Sequence, residues 1–170
     1  MNALQKKAFI RAVGVADKFH VIKFGIQAIS DLRVKYRNGE TTLQLLQRSN
    51  RALSKIKSKW GKNMRERIKI LFELFPDLEK TYNFIIDFRK IYDAKKCGET
   101  VFTTSKIALE NWMKQTEKSN ISELKNFTYT VKNYKNNILS YFKTGKTNAY
   151  AESLNSKLQR FLRENFEIRN

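Results

Sequence analysis

Pro76 is the one proline in 170 residues, and only six glycines accompany it. A multi-stranded sheet needs frequent turns, and turns draw on Gly and Pro for backbone angles that other residues resist. So little punctuation confines the chain to helices, provided its apolar residues recur at spacings of three and four. They do so repeatedly. Phe19, Val21, Ile22, Phe24, Ile26, Ile29 and Leu32 give a broad apolar surface from Lys18 to Tyr36, with Asn38-Gly39 as the stop. Leu43, Leu46, Ala52, Leu53 and Ile56 mark a second helix from Thr41 to Ile56. Asn63 is placed to cap a third, carrying Ile68, Leu71, Phe72 and Phe75, which Pro76 breaks. Asp77 begins the next, through Leu78, Tyr82, Ile85, Phe88 and Ile91 to about Asp93. Residues 103–118 form a helix around Ile107, Trp112 and Met113. Residues 121–142 form a long one with Leu124, Phe127, Val131, Tyr134, Ile138 and Tyr141. A last helix opens after Thr147 or Asn148, either a good N-cap, and aligns Ala151, Leu154, Leu158, Phe161 and Leu162 in one inward-facing stripe.

Ahead of these, residues 2–12 read as a short helix with Leu4, Ala8, Phe9 and Ala12 on one side. Val13-Gly14-Val15-Ala16 is the only persuasive strand. A strand that short is marginal alone, and it makes sense as one member of a sheet whose other strands lie outside these residues. One short strand and about seven helices are a lopsided inventory for an independent domain. Twelve Phe and seven Tyr can nonetheless fill a substantial core.

Thirty-four Lys and Arg stand against 16 Asp and Glu, a net charge of +18. Such an excess repels itself, and a polyanionic partner relieves it. Nucleic acid is the first expectation and an anionic membrane surface the second. No apolar run approaches the ~18 residues of a spanning helix, and Met1 to Lys7 lacks the apolar stretch of a signal peptide. Cys97 has no second cysteine to pair with, and with His20 as the single histidine no zinc site can be assembled. The chain therefore reads as cytoplasmic, reduced and zinc-free.

Three stretches carry candidate chemistry. Around Trp60-Gly61 lie Lys55, Lys57, Lys59 and Lys62. Cations interleaved with an aromatic can neutralise and stack on nucleic acid, while a Trp beside a helix start also serves as a packing plug. In the last helix Glu152 falls off the apolar stripe and shares a polar face with Asn155 and Ser156. A carboxylate there either complements the helix dipole in water or meets whatever approaches that face. Upstream, Asp17 closes the strand and can cap the helix that begins at Lys18.

These stretches carry a resemblance. The β-run ending in Asp17-Lys18-Phe19-His20-Val21, with Tyr141-Phe142 and Thr147-Asn148-Ala149-Tyr150-Ala151-Glu152-Ser153-Leu154-Asn155-Ser156-Lys157, resembles bacterial insertion-sequence transposases of the ISL-three type. Leu45-Leu46, Ser58-Lys59-Trp60 and Ile70-Leu71-Phe72-Glu73-Leu74-Phe75-Pro76-Asp77-Leu78 extend the likeness over nearly the whole chain. The resemblance implies a ribonuclease-H-like α/β core with an all-helical insertion, and an Asp-Asp-Glu triad holding two divalent ions. The fold expected is mainly α, with that core reduced to about one short strand. Residues 1–36 would be the partial core, 37–143 the helical insertion, and 144–170 the catalytic helix returning to the core.

By resemblance Asp17 matches the second Asp and Glu152 the final Glu, both catalytic and both metal ligands. Hard carboxylate oxygens suit Mg²⁺ or Mn²⁺. His20 either orients such a carboxylate or is satisfied by backbone. Asn148 and Asn155 match positions beside the Glu and take positioning roles, with helix capping the simpler role for Asn148. Lys59, Lys62, Lys146, Lys157 and Arg160 are candidate nucleic-acid contacts, a solvated surface being the alternative for Lys157 and Arg160.

No acidic residue precedes Asp17, so the first Asp of the triad is absent from this sequence. The chain reads as the back portion of a transposase, cut at both ends and inactive in strand transfer by itself. DNA at insertion-sequence ends and targets is the implied partner, without a membrane, and the full-length protein is a possible homo-oligomer. A non-catalytic basic DNA-binding module is the competing expectation.

Overall fold

The structure, a computed structural model, describes residue 16 and residues 18–37, 43–93, 97–145 and 149–166. Among these residues there is no strand. The helix expected over residues 2–12 and residues 13–15 of the expected strand lie outside them. The helices are α1 (Lys18–Arg37), α2 (Leu43–Arg48), α3 (Asn50–Leu53), α4 (Lys62–Leu74), α5 (Pro76–Tyr92), α6 (Glu99–Glu117), α7 (Ser122–Asn133), α8 (Lys135–Thr144) and α9 (Ala149–Phe166), with a 3-10 turn at Lys57–Lys59.

The core forms where α1 lies across α5 and α7, and α6 packs against α5, α7 and α8. Its centre is aromatic. Phe88 meets Trp112 at 4.9 Å and Phe127 at 5.3 Å between ring centroids, and the Trp112 indole donates to the Phe84 carbonyl at 2.8 Å. Full burial of one such side chain contributes about 1.5–3 kcal/mol. Gly25 lets α1 approach closely, since a Cβ there would stand 3.0 Å from Phe127 Cζ and 3.2 Å from Ile85 Cγ2. Thr116 and Thr128 cross between α6 and α7 with their hydroxyls 2.8 Å apart, fully buried and each also bonded to a carbonyl of its own helix.

Four expectations change. The helix expected from Thr41 to Ile56 is interrupted at Ser49, whose buried hydroxyl donates to the Leu45 carbonyl at 2.6 Å. That bond competes with the backbone ladder. The long helix over 121–142 bends at Tyr134, which is exposed, and the bend brings α8 back against α6. The helix expected from residue 103 starts at Glu99, behind Gly98 at φ 141°; that backbone angle favours glycine. Asn63 does not cap α4, because Gly61 holds the N-cap position and the helix begins at Lys62. Of the expected inward residues, Phe19, Phe24, Ile56 and Ile107 are exposed.

Candidate nucleic-acid interface and catalytic residues

Between Lys55 and Lys69 the chain carries seven cations and one carboxylate, Glu66. The fold turns this run into an edge. Trp60 is the anchor: its indole is buried, donates to the Ala52 carbonyl at 2.9 Å, and packs on Tyr82 at 5.3 Å and Phe72 at 6.4 Å. With that ring turned inward, Lys57, Lys59 and Lys62 face water. Trp60 is therefore a packing plug and offers no stacking face. Tyr82 locks the same connector by donating to the Lys55 carbonyl at 2.8 Å, and burial pushes its phenol up to about 12.

The edge has two clefts. One, of about 290 Å³, is lined by Lys57, Arg65 and Lys69 with Trp60 and Phe72, and also by Glu73 and Glu79. Lys57 is partly committed there, 5.9 Å above the Tyr82 ring, and the Arg65 Nε donates to the Trp60 carbonyl at 3.0 Å. The other, of about 470 Å³, is lined by Gly61, Lys62, Asn63, Met64 and Arg67 and has, among the described residues, no carboxylate in its lining. Lys59 and Lys62 were legible as candidates in the sequence. Arg65, Arg67 and Lys69 were missed, although their spacing on α4 could have signalled them.

Asp17 lies outside the described residues, but both of its neighbours are tied down. The buried Ala16 donates its N–H to the Asn137 carbonyl of α8 at 3.1 Å. Lys18 Nζ reaches Asp93 Oδ1 at 2.6 Å and the Tyr92 carbonyl at 3.4 Å, at the end of α5. The Tyr92 ring in turn packs on Tyr141 and Phe142 in the last turn of α8, at 5.9 Å and 5.4 Å. α8 ends at Gly145, which takes the left-handed conformation at φ 67° and donates to the Tyr141 carbonyl at 2.8 Å. α9 follows, and Glu152 lies in its first turn; its side chain is outside the described set.

His20 is exposed in the first turn of α1, and Asn155, Lys157 and Arg160 are exposed on α9. The Arg160 Nε donates to Glu164 Oε1 at 2.7 Å within the helix. Asn148 and Lys146 lie outside the described residues. The apolar stripe of α9 does not face inward as expected: Leu154, Leu158, Phe161 and Leu162 are exposed, and no described helix packs extensively on it. Among the described residues no three His, Cys, Asp or Glu side chains gather as a metal-binding group.

Not every cation belongs to a binding face. Arg33 Nη1 donates to the Leu46 carbonyl at 2.9 Å and Arg89 Nη2 to the Ser54 carbonyl at 3.1 Å, so both hold the ends of short helices. Burial lowers the pKa of each. Lys35 pairs with Glu123 at 3.2 Å.

Among the described residues no helix is long and apolar enough to cross a membrane. Searches of curated proteins and of solved structures found no match. A family model described as Transposase, of the ISL-three DDE type, matches residues 1–170. With the match spanning every residue, the chain belongs to the ISL-three family of DDE transposases.

Proposed function

We propose that this chain supplies two carboxylates, Asp17 and Glu152, to the metal-binding centre of a DNA transposase acting on insertion-sequence ends. Residues 1–36 contribute to a ribonuclease-H-like core, 37–143 are the helical insertion, and 144–170 return Glu152 to the core. Family membership sets this expectation. The observation that supports it is the tie between the Asp17 stretch and α8, the helix that precedes the Glu152 helix in the chain: Ala16 bonds Asn137 near the start of α8, and Lys18 joins its last turn through Tyr92. From Asn137 to Thr144 is seven residues, about 10 Å of helix, and α9 begins at Ala149.

The donor set fits a hard divalent cation, since carboxylate oxygens are what Mg²⁺ and Mn²⁺ prefer. When bound, a pair of such ions activates the attacking oxygen and stabilises the leaving one in phosphodiester cleavage. The protein's part is to hold the carboxylates, to orient them through His20, Asn148 and Asn155, and to seat phosphates on Lys59, Lys62, Lys146, Lys157 and Arg160. Asp17 and Glu152 are two of three triad members, so these residues alone do not carry out strand transfer.

Mn²⁺ titration followed by electron paramagnetic resonance tests the assignment. The chain should deplete the free-ion signal, and Asp17→Asn and Glu152→Gln should each abolish that depletion. Superimposable isotherms for all three proteins would remove both residues from the site. The net charge of +18 and the exposed basic edge favour a second reading, DNA binding without chemistry. It predicts duplex affinity that is metal-independent and survives Asp17→Ala and Glu152→Ala.

A further inference from the structure

We infer that the edge formed by the 3-10 turn and the start of α4 docks the sugar-phosphate backbone of duplex DNA, as a positioning surface that does not read sequence. This rests on the DNA-binding reading above and assigns it a face and a mode. Four observations point the same way. Lys59 and Lys62 are exposed and Arg67 half-exposed, and among the described residues no carboxylate pairs with any of them. Among the described residues, the cleft lined by Lys62 and Arg67 has no carboxylate in its lining. Glu73 and Glu79 line the neighbouring cleft, which leaves the Lys59, Lys62 and Arg67 side the more positive of the two. α4 begins here without a side-chain cap, and the positive end of its dipole adds to the same field.

The choice of duplex follows from Trp60. Proteins that hold single strands combine cations with aromatic faces on which bases stack. Here the one aromatic in the basic run is buried and hydrogen-bonded to Ala52. What remains is charge without a stacking platform, a surface suited to phosphates whose bases are already stacked on each other. Phosphate contacts fix register and orientation and carry no sequence information directly.

The test uses the whole chain and a set of substitutions that leave the anchors intact. Lys59→Ala, Lys62→Ala and Arg67→Ala are combined, leaving Lys57 and Arg65 in place because they touch Tyr82 and Trp60. The charge-matched control combines Lys106→Ala, Lys114→Ala and Lys118→Ala, two exposed lysines of α6 and the exposed lysine at its C-cap. Affinity for two unrelated duplexes, and for a single strand of equal length, is measured by fluorescence anisotropy across a salt series. Three lost phosphate contacts should reduce the slope of log K against log salt by about 2 to 3, equally for both duplexes. The control should leave the slope unchanged. An unchanged slope in the α4 set, an equal loss in the control, or a loss confined to the single strand would overturn the proposal while the DNA reading stands. A wild-type chain that binds no duplex would overturn both. If the alanine set melts early, the corresponding glutamine set gives the same test.

Discussion

Trp60→Phe separates the two roles that a tryptophan in a basic run can have. The indole is 7% exposed, donates to the Ala52 carbonyl at 2.9 Å and packs on Tyr82 and Phe72. Phenylalanine keeps one aromatic ring but loses the N–H and part of the volume. The Ala52 carbonyl also accepts from the Lys55 N–H at 3.0 Å, so it is not stranded. Losing the indole bond therefore costs about 0.5–1.5 kcal/mol, the net value of an ordinary hydrogen bond, without a further penalty for a buried orphan. The space left beside Tyr82 adds about 1–2 kcal/mol on the scale of large-to-small core changes. A total of about 1.5–3.5 kcal/mol follows from the two terms. Urea unfolding reads it, with Trp112, buried in the core, as the remaining fluorophore. Duplex affinity, measured where the variant is folded, should not change. Undiminished stability together with weakened DNA binding would refute the plug and restore Trp60 as a base-stacking residue.

Gly25→Ala should destabilise the fold by about 1–3 kcal/mol, the usual range for overpacking, because the new methyl would stand 3.0 Å from Phe127 and 3.2 Å from Ile85. Gly61→Ala meets no clash, with nothing within 4 Å of the added Cβ, but alanine is a poorer N-cap than glycine, so the urea midpoint should fall only slightly. The Tyr82 phenol, raised by burial to about 12 from 10.0, ionises in the unfolded chain first. Stability is then intact below pH 10 and is lost as pH rises toward 12, by at most about 3 kcal/mol for a shift of this size. Absorbance titration of phenolate should show one tyrosine lagging, and Tyr82→Phe should remove it. Glu123 is partly buried, which raises its pKa, yet its own backbone N–H, Ser122 and Lys35 together bring it below the ordinary value. It therefore contributes stability at neutral pH that is lost as pH falls through its folded pKa, and Glu123→Gln should flatten the acid limb of a stability-against-pH curve.

Helix positions were legible wherever apolar periodicity was strong and uninterrupted. Leu78, Tyr82, Ile85 and Phe88 announced α5, and Pro76 fixed its start at the one place where a missing N–H does no harm. The interruptions at Ser49 and Tyr134 were hidden because both positions continue a helical pattern, and only packing decides where a helix turns back on its neighbour. The α9 stripe misled for a related reason: Leu154, Leu158 and Phe161 specify an apolar face, but periodicity does not say what covers it. Lys59 and Lys62 stood out in the linear run, whereas Arg65, Arg67 and Lys69 join them only through the pitch of α4. Arg33 and Arg89 looked like two more surface cations, and their burial against helix-end carbonyls depends on contacts between distant segments.

The central claim is that the folded chain brings Asp17 and Glu152 to one centre, and a distance between them tests it most directly. Spin labels placed through Asp17→Cys and Glu152→Cys, with the exposed Cys97 changed to Ser, report that separation by electron paramagnetic resonance. The account predicts strong dipolar broadening, the mark of labels held close together, that disappears when the chain is unfolded in urea. Labels well separated in the folded protein, with no broadening to lose, would contradict it.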